Sequence, residues 1–254
     1  MLTVASRSDP GTVRTVNEDS VMWESDISMI AVADGMGGHN AGEVASKLAL
    51  ETVRSFLKKS TTDEGFRWPF GVTPSLSVAA NRLMTSIKIA NRHVYRVSKK
   101  SAEYSGMGTT IVAAIAEGSR LAFCGVGDSR AYSFVGNELR QLTKDDSWVS
   151  MLVKESGLDA AAFDKHPMRH VLTNVVGTRP ELDVVVEEID LVVGQTIMLC
   201  TDGLHGALSD ADIAAVLRAE TNLERATETL IERAVRRDGK DNATIALARY
   251  VQMP

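Results

Sequence analysis

The chain has 254 residues, 44% of them hydrophobic and 24% charged. That is enough apolar residue for a sizeable core, and the composition excludes a wholly disordered, collagen-like or coiled-coil protein. Its 28 Lys and Arg stand against 33 Asp and Glu, a net charge of −5, which argues against a general nucleic-acid binder with a basic face.

Phosphorylated substrates stay open, because metal ions can invert the local sign of a site. Two cysteines, Cys124 and Cys200, are too few for a disulfide framework and read as free, buried thiols. The opening MLTVASRSDPGTV lacks the charged and apolar regions of a signal peptide, and no stretch reaches the ~18 apolar residues of a membrane span. The expectation is a cytoplasmic protein with no membrane segment.

In chain order, 27–33 (ISMIAVA) is an apolar run closed by Asp34-Gly35 and reads as a buried strand feeding a loop. Residues 41–59 set Ala45, Leu48, Ala49, Val53 and Phe56 on one helical face. The turn-rich 60–75 reads as a loop, and a second helix is expected over 76–99. Strands follow at 109–116, 121–126 and 131–135, with turn signals at Glu117-Gly118 and Gly136-Asn137 that suggest antiparallel hairpins. Residues 145–180 are the least regular, with short helical patterns at 148–155 and 159–165. Strands resume at 182–189 and 196–200. Ser209 with Asp212 three residues on opens a short helix. A longer helix at 223–237 points Leu223, Ala226, Leu230 and Ala234 inward, and a last strand covers 243–251. Without a linker, repeat or low-complexity tract, 1–254 reads as one domain in which helices cover antiparallel sheets.

The chemistry points to the aspartates. Asp19, Asp34, Asp128, Asp202 and Asp241 sit at strand boundaries, and each has Gly or Asn within two positions. Asp-Gly is by itself a common turn pair. Five carboxylates gathered at one end of a sheet would repel one another unless cations lay between them. All-oxygen donors select magnesium or manganese over zinc. Zinc is poorly supported, since His39, His93, His166, His170 and His205 show no zinc-site spacing. The Gly-rich string at 35–42 lacks the ending of a P-loop, and no Gly-x-Ser-x-Gly elbow is present.

In order, RTVNED at 14–19, ADGMGGH at 33–39, GMGTT at 106–110, VGDSRAY at 126–132, LTKDDSWV at 142–149, CTDGL at 200–204 and KDNAT at 240–244 resemble the bacterial branch of the metal-dependent, type 2C Ser/Thr protein phosphatases. The resemblance spans nearly the whole chain. It implies an α+β fold, a four-layer α-β-β-α sandwich with two central antiparallel sheets. It also implies an enzyme in which a water activated by two or three Mg or Mn ions attacks the phosphate of phosphoserine and phosphothreonine proteins directly. The implied partners are phosphorylated proteins and a bacterial Ser/Thr kinase that the enzyme opposes, with the enzyme a monomer.

Position by position, the resemblance implies that Asp34 bridges two ions and the Gly35 carbonyl joins one of them. Asp202 and Asp241 complete the first ion, Asp19 serves the second directly or through water, and Asp128 with Asp202 holds a third. Arg14 binds the substrate phosphate, its planar fork suited to that shape. Glu18 is an alternative to Asp19. Thr109, Thr110 and Ser129 are expected to satisfy backbone groups around the site, and Asn242 to orient the Asp241 loop. Eukaryotic members carry a His directly after the Asp-Gly pair; here that residue is Met36. His39 orients or protonates the leaving group, or is structural. Asp146, where relatives often have His, and His205 carry no assigned role. Residues 145–180 form the flap beside the active site, from which substrate preference would arise. Two rival readings are a phospho-sensing binding module on the same fold and a hydrolase of small phosphoesters.

Overall fold

The structure is a computed structural model that describes residues 1–38, 41–63, 66–157, 163, 166–168 and 171–252. Among these residues the strands form two antiparallel sheets. The first, in spatial order, comprises β1 (Leu2–Asp9), β11 (Ala243–Tyr250), β10 (Thr196–Cys200), β7 (Arg130–Val135) and β8 (Glu138–Gln141). The second comprises β2 (Asp19–Glu24), β3 (Met29–Met36), β5 (Ile111–Glu117), β6 (Arg120–Val126) and β9 (Val186–Asp190), with the two-residue β4 (Gly108–Thr109) paired to the end of β3.

Alternation along the strands explains how the layers stack. On β3, Met29, Ala31 and Ala33 turn outward to α1 (Ala41–Thr62) and α2 (Val78–Lys100), meeting Ala45, Ala49, Val53, Leu83 and Ile87. Ile30 and Val32 turn inward and join Val112, Ala114, Leu121, Ile197, Leu199, Ala246 and Ala248 between the sheets. On the far side Met198, Cys200, Ile245 and Leu247 pack against α5 (Asp210–Ala219) and α6 (Leu223–Arg237). The result is the α-β-β-α sandwich. Both cysteines are free and buried.

The hairpin turns fall where expected: Gly118 closes β5–β6, and Gly136 with Asn137, both at positive φ, close β7–β8. Ser209 and Asp212 form a reciprocal capping box at α5, and Ser77 and Asn222 cap α2 and α6 with their side chains.

Several elements differ from the sequence reading. β1, β2, β8 and a single helical turn, α4 (Asp202–His205), were not anticipated. β1 pairs along its length with β11, Leu2 opposite Tyr250 and Asp9 opposite Ala243. The strand expected from 182 starts only at Val186, because the preceding residues bond outside the sheet. There the Asp183 carbonyl accepts the Asn174 amide. Within 145–180, α3 (Trp148–Ser156) forms, capped by Ser147 and ended by Gly157, whereas the helix expected at 159–165 lies largely outside the described residues.

Candidate active site

The site grows from the inter-sheet layer. Two residues beyond Val32 on β3 is Asp34, and two before Val21 on β2 is Asp19; the register puts Asp19 and Asp34 directly opposite each other, roughly 4.5–5.5 Å apart at Cα. The same step of two leads from Val112 to Thr110, from Leu199 to Thr201, from Ala246 to Thr244 and from Ala131 back to Ser129. One end of the hydrocarbon layer thus becomes polar on six strands together. Asp128 follows β6, Asp202 follows β10 and Asp241 precedes β11 at that same end.

Asp19 is the most deeply set of the five, 7% exposed. Its Oδ2 accepts the Thr201 hydroxyl at 2.9 Å and the Thr244 hydroxyl at 2.6 Å, so a β2 carboxylate is fixed by two residues of the opposite sheet. Its Oδ1 is buried without a hydrogen-bond partner. Burial, followed by the charges of Asp202 and Asp241, pushes Asp19 up to about 7. Asp34 lies well above the usual carboxylate range, first from burial and then from Asp19, Asp202, Asp128 and Asp241. Asp128 is likewise pushed up to about 7 by burial and by Asp202. These shifts tie the carboxylates together in one shared field of like charge.

The backbone beneath them is tightly specified. The Thr109 hydroxyl donates to the Asp34 carbonyl at 2.8 Å, and the Asp34 N–H donates to Thr110 Oγ1 at 3.0 Å. Thr110 and Ser129 hydroxyls bond each other at 2.7 Å. A Cβ on Gly35 would stand 2.0 Å from the Gly42 carbonyl oxygen, so only glycine lets β3 pass α1 this closely. Glu18, beside Asp19, accepts the Gly42 N–H at the start of α1, at 3.1 Å. Asn242 accepts the Glu18 N–H and donates to the Pro10 and Val16 carbonyls, clamping 10–18 against the Asp241 turn.

At the rim Arg14 forks onto Asp241, Nε to Oδ1 and Nη2 to Oδ2, both at 3.0 Å, with about half of the arginine side chain exposed. Asp146 accepts the Asn174 amide at 2.9 Å and donates its N–H to the Gly127 carbonyl at 2.7 Å, joining the start of 145–180 to the Asp128 loop. The imidazole of His205 sits at 2.9 Å from the Asp128 carbonyl. His39 lies outside the described residues. The holders Thr201 and Thr244 were not singled out in the sequence, although CTDGL and KDNAT each contain one.

Among the described residues no three His, Cys, Asp or Glu side chains are already gathered closely enough to hold an ion. The fit of a cation therefore rests on donor chemistry. All the donors are oxygen, one of them, Asp19 Oδ1, is buried with no partner, and neighbouring carboxylates raise one another's pKa. That set suits a hard divalent ion. A groove of about 650 Å³ lies along β1, β2 and α1, lined by Ser8, Asn17, Met22, Lys47 and Leu50, and of the five aspartates only Asp19 lines it.

The family pattern "Protein phosphatase 2C" matches residues 12–238. The chain belongs to the protein phosphatase 2C family. It is 31% identical over 248 residues to the serine/threonine phosphatase stp of Listeria monocytogenes serotype 4b (strain F2365), covering 95% of this chain and 93% of that one. It is 35% identical over 251 residues to the serine/threonine protein phosphatase PstP of Mycobacterium tuberculosis, covering 99% of this chain but 45% of PstP. Its fold matches the catalytic domain of PstP in complex with two manganese ions with a TM-score of 0.82 at 31% identity, covering 99% of each.

Proposed function

We propose that the polar end of the inter-sheet layer is the reaction centre, where Asp34 and the Gly35 carbonyl would help to hold two divalent ions. Asp202 and Asp241 would complete one ion's ligands, Asp19 would serve the other, and Asp128 with Asp202 would hold a third. The activity is that of a metal-dependent protein serine/threonine phosphatase using Mg or Mn. When bound, the ions supply Lewis acidity and a water ionised at neutral pH. The buried Asp19 Oδ1, which has no hydrogen-bond partner, is the observation that carries the reading: removing a carboxylate oxygen from water without a partner is costly unless a cation takes the place of hydration.

The chain's own groups supply the rest. Arg14 presents a planar fork to the phosphate oxygens and steadies charge on them in the transition state. It exchanges one oxyanion, Asp241, for another. Thr201 and Thr244 keep Asp19 in place, and Thr109 and Thr110 hold the Asp34 backbone. Of Glu18 and Asp19, Asp19 is favoured as ligand, because its Oδ1 is buried with no hydrogen-bond partner, whereas Glu18 Oε1 accepts the Gly42 N–H. His39 is proposed to orient or protonate the leaving group.

Residues 1–254 are proposed to act as one catalytic domain, supported by the pairing of β1 with β11 from opposite ends of the chain. The substrates are proposed to be phosphorylated proteins made by a bacterial Ser/Thr kinase. The relatives' names support protein substrates; the kinase, the cytoplasmic location and the monomeric state rest on the sequence reading. No helix among the described residues is long and apolar enough to cross a membrane.

The test is hydrolysis of a phosphothreonine peptide with manganese, with EDTA, and with Asp202→Asn. Turnover lost with EDTA, and lowered ~10²–10³-fold or more by the substitution, is expected. Unchanged turnover in the variant would remove Asp202 from the centre. No turnover with intact manganese binding would favour the phospho-sensing module.

A further inference from the structure

We propose that His205 is a positioning residue that holds the Asp128 loop against α4 so that Asp128 and Asp202 face one cation; the inference rests on the proposed role of those two aspartates. The two loops have reason to separate. Asp128 and Asp202 are like charges, and burial together with the charge of Asp202 disfavours ionisation of Asp128. Gly127 turns at φ +93°, where a Cβ would press to 2.6 Å on Thr110 Cγ2, so the loop leaves β6 on a glycine-dependent bend. Its flanks are tied to the other sheet and to the start of 145–180, Ser129 to Thr110 and the Gly127 carbonyl to the Asp146 N–H.

The tie to α4 is made by His205. It lies three residues after Asp202 in the same single turn, so both side chains project from one face. Its Nε2 is 2.9 Å from the Asp128 carbonyl oxygen. A carbonyl only accepts, so Nε2 carries the proton and the imidazole donates. His205 grips the backbone of Asp128, whose carboxylate feels the charge of Asp202. An outer hydrogen bond of this kind orients a ligand without touching the ion.

The experiment compares the wild type with His205→Gln, whose amide nitrogen can reach the Nε2 position, His205→Asn, whose amide cannot, and Asp128→Asn. Manganese binding is followed by calorimetry and stability by thermal melting, alongside the metal dependence of phosphopeptide hydrolysis. His205→Asn is expected to weaken the weakest of the bound ions by ~10–100-fold, with the tighter ions unmoved and His205→Gln close to wild type. A lower melting temperature with unchanged metal affinity, or Gln no better than Asn, overturns the proposal. If Asp128→Asn leaves the weakest ion unchanged, the assignment of Asp128 itself fails. If Asp128→Asn removes that ion and His205→Asn does not, the role of His205 alone fails. Should His205→Asn not fold, the Nε2–H resonance of the wild type decides: it is expected to shift as Mg²⁺ fills the weak site, and a resonance that stays still overturns the proposal.

Discussion

The middle of the inter-sheet layer and its end are built on the same strands and the same alternation, yet they face opposite physical demands. In the middle, Ile30, Val32, Val112, Leu199 and Ala246 are almost fully removed from water and make only apolar contacts, the arrangement that stabilises a sandwich. One step of two residues further, Asp34, Thr110, Thr201 and Thr244 occupy the equivalent places. The sandwich ends in groups that cost stability unless something outside the chain compensates them. A fold can therefore turn one end of its core polar by changing one layer of residues, without changing its topology.

Exchanging the two kinds of residue should break the comparison most severely. Val32→Asp puts an unpaired charge in the hydrocarbon layer and is expected to cost more than ~3–5 kcal/mol, enough to prevent folding; solubility and circular dichroism check this. Gly35→Ala follows, since its Cβ meets a backbone carbonyl that cannot rotate away. It is expected to destabilise by ~1–3 kcal/mol and to abolish turnover by displacing Asp34, as read by melting and peptide hydrolysis.

Thr244→Val is a finer probe. The shape is kept while one donor to Asp19 is lost, so manganese affinity should fall ~10-fold or more, measured by calorimetry, with a small change in melting temperature.

The gentlest probe is pH. Asp19 and Asp128 have folded-state pKa values near 7, above the ordinary 3.8. Their contribution to stability is complete below the ordinary value and is lost as pH rises through about 7. Protein stripped with EDTA should thus melt at falling temperature from about pH 4 to 7, and saturating Mn²⁺ should remove that fall.

Much of this was legible in the sequence, for reasons that differ by element. The β5–β6 hairpin announces itself as two apolar runs, buried on both faces, around a turn signal, and α1 and α6 as helices that bury one periodic face. β1 and β2 did not: LTVASRSD and DSVMWE are edge strands, half exposed and mixed with charge, so their pattern is diluted. α4 is a single turn, too short for any period. At the site, the aspartates stood out because Asp-Gly and Asp-Asn pairs recur at strand ends. Thr201, Thr244 and the Glu18–Gly42 contact did not, since a threonine or glutamate carries no local sign of a partner 182 or 24 residues away. The threonine partners exist only once the two sheets face each other, and the Glu18–Gly42 contact only once α1 packs on β2.

The central claim is that the polar end of the layer trades stability for a place to hold cations. It is tested most directly by melting wild type and Asp34→Val side by side, with EDTA and with Mn²⁺, while following phosphopeptide turnover. The substitution is expected to raise the melting temperature in EDTA, remove the stabilisation by Mn²⁺ and abolish turnover. A variant that melts lower than wild type in EDTA and is still stabilised by Mn²⁺ would contradict that claim.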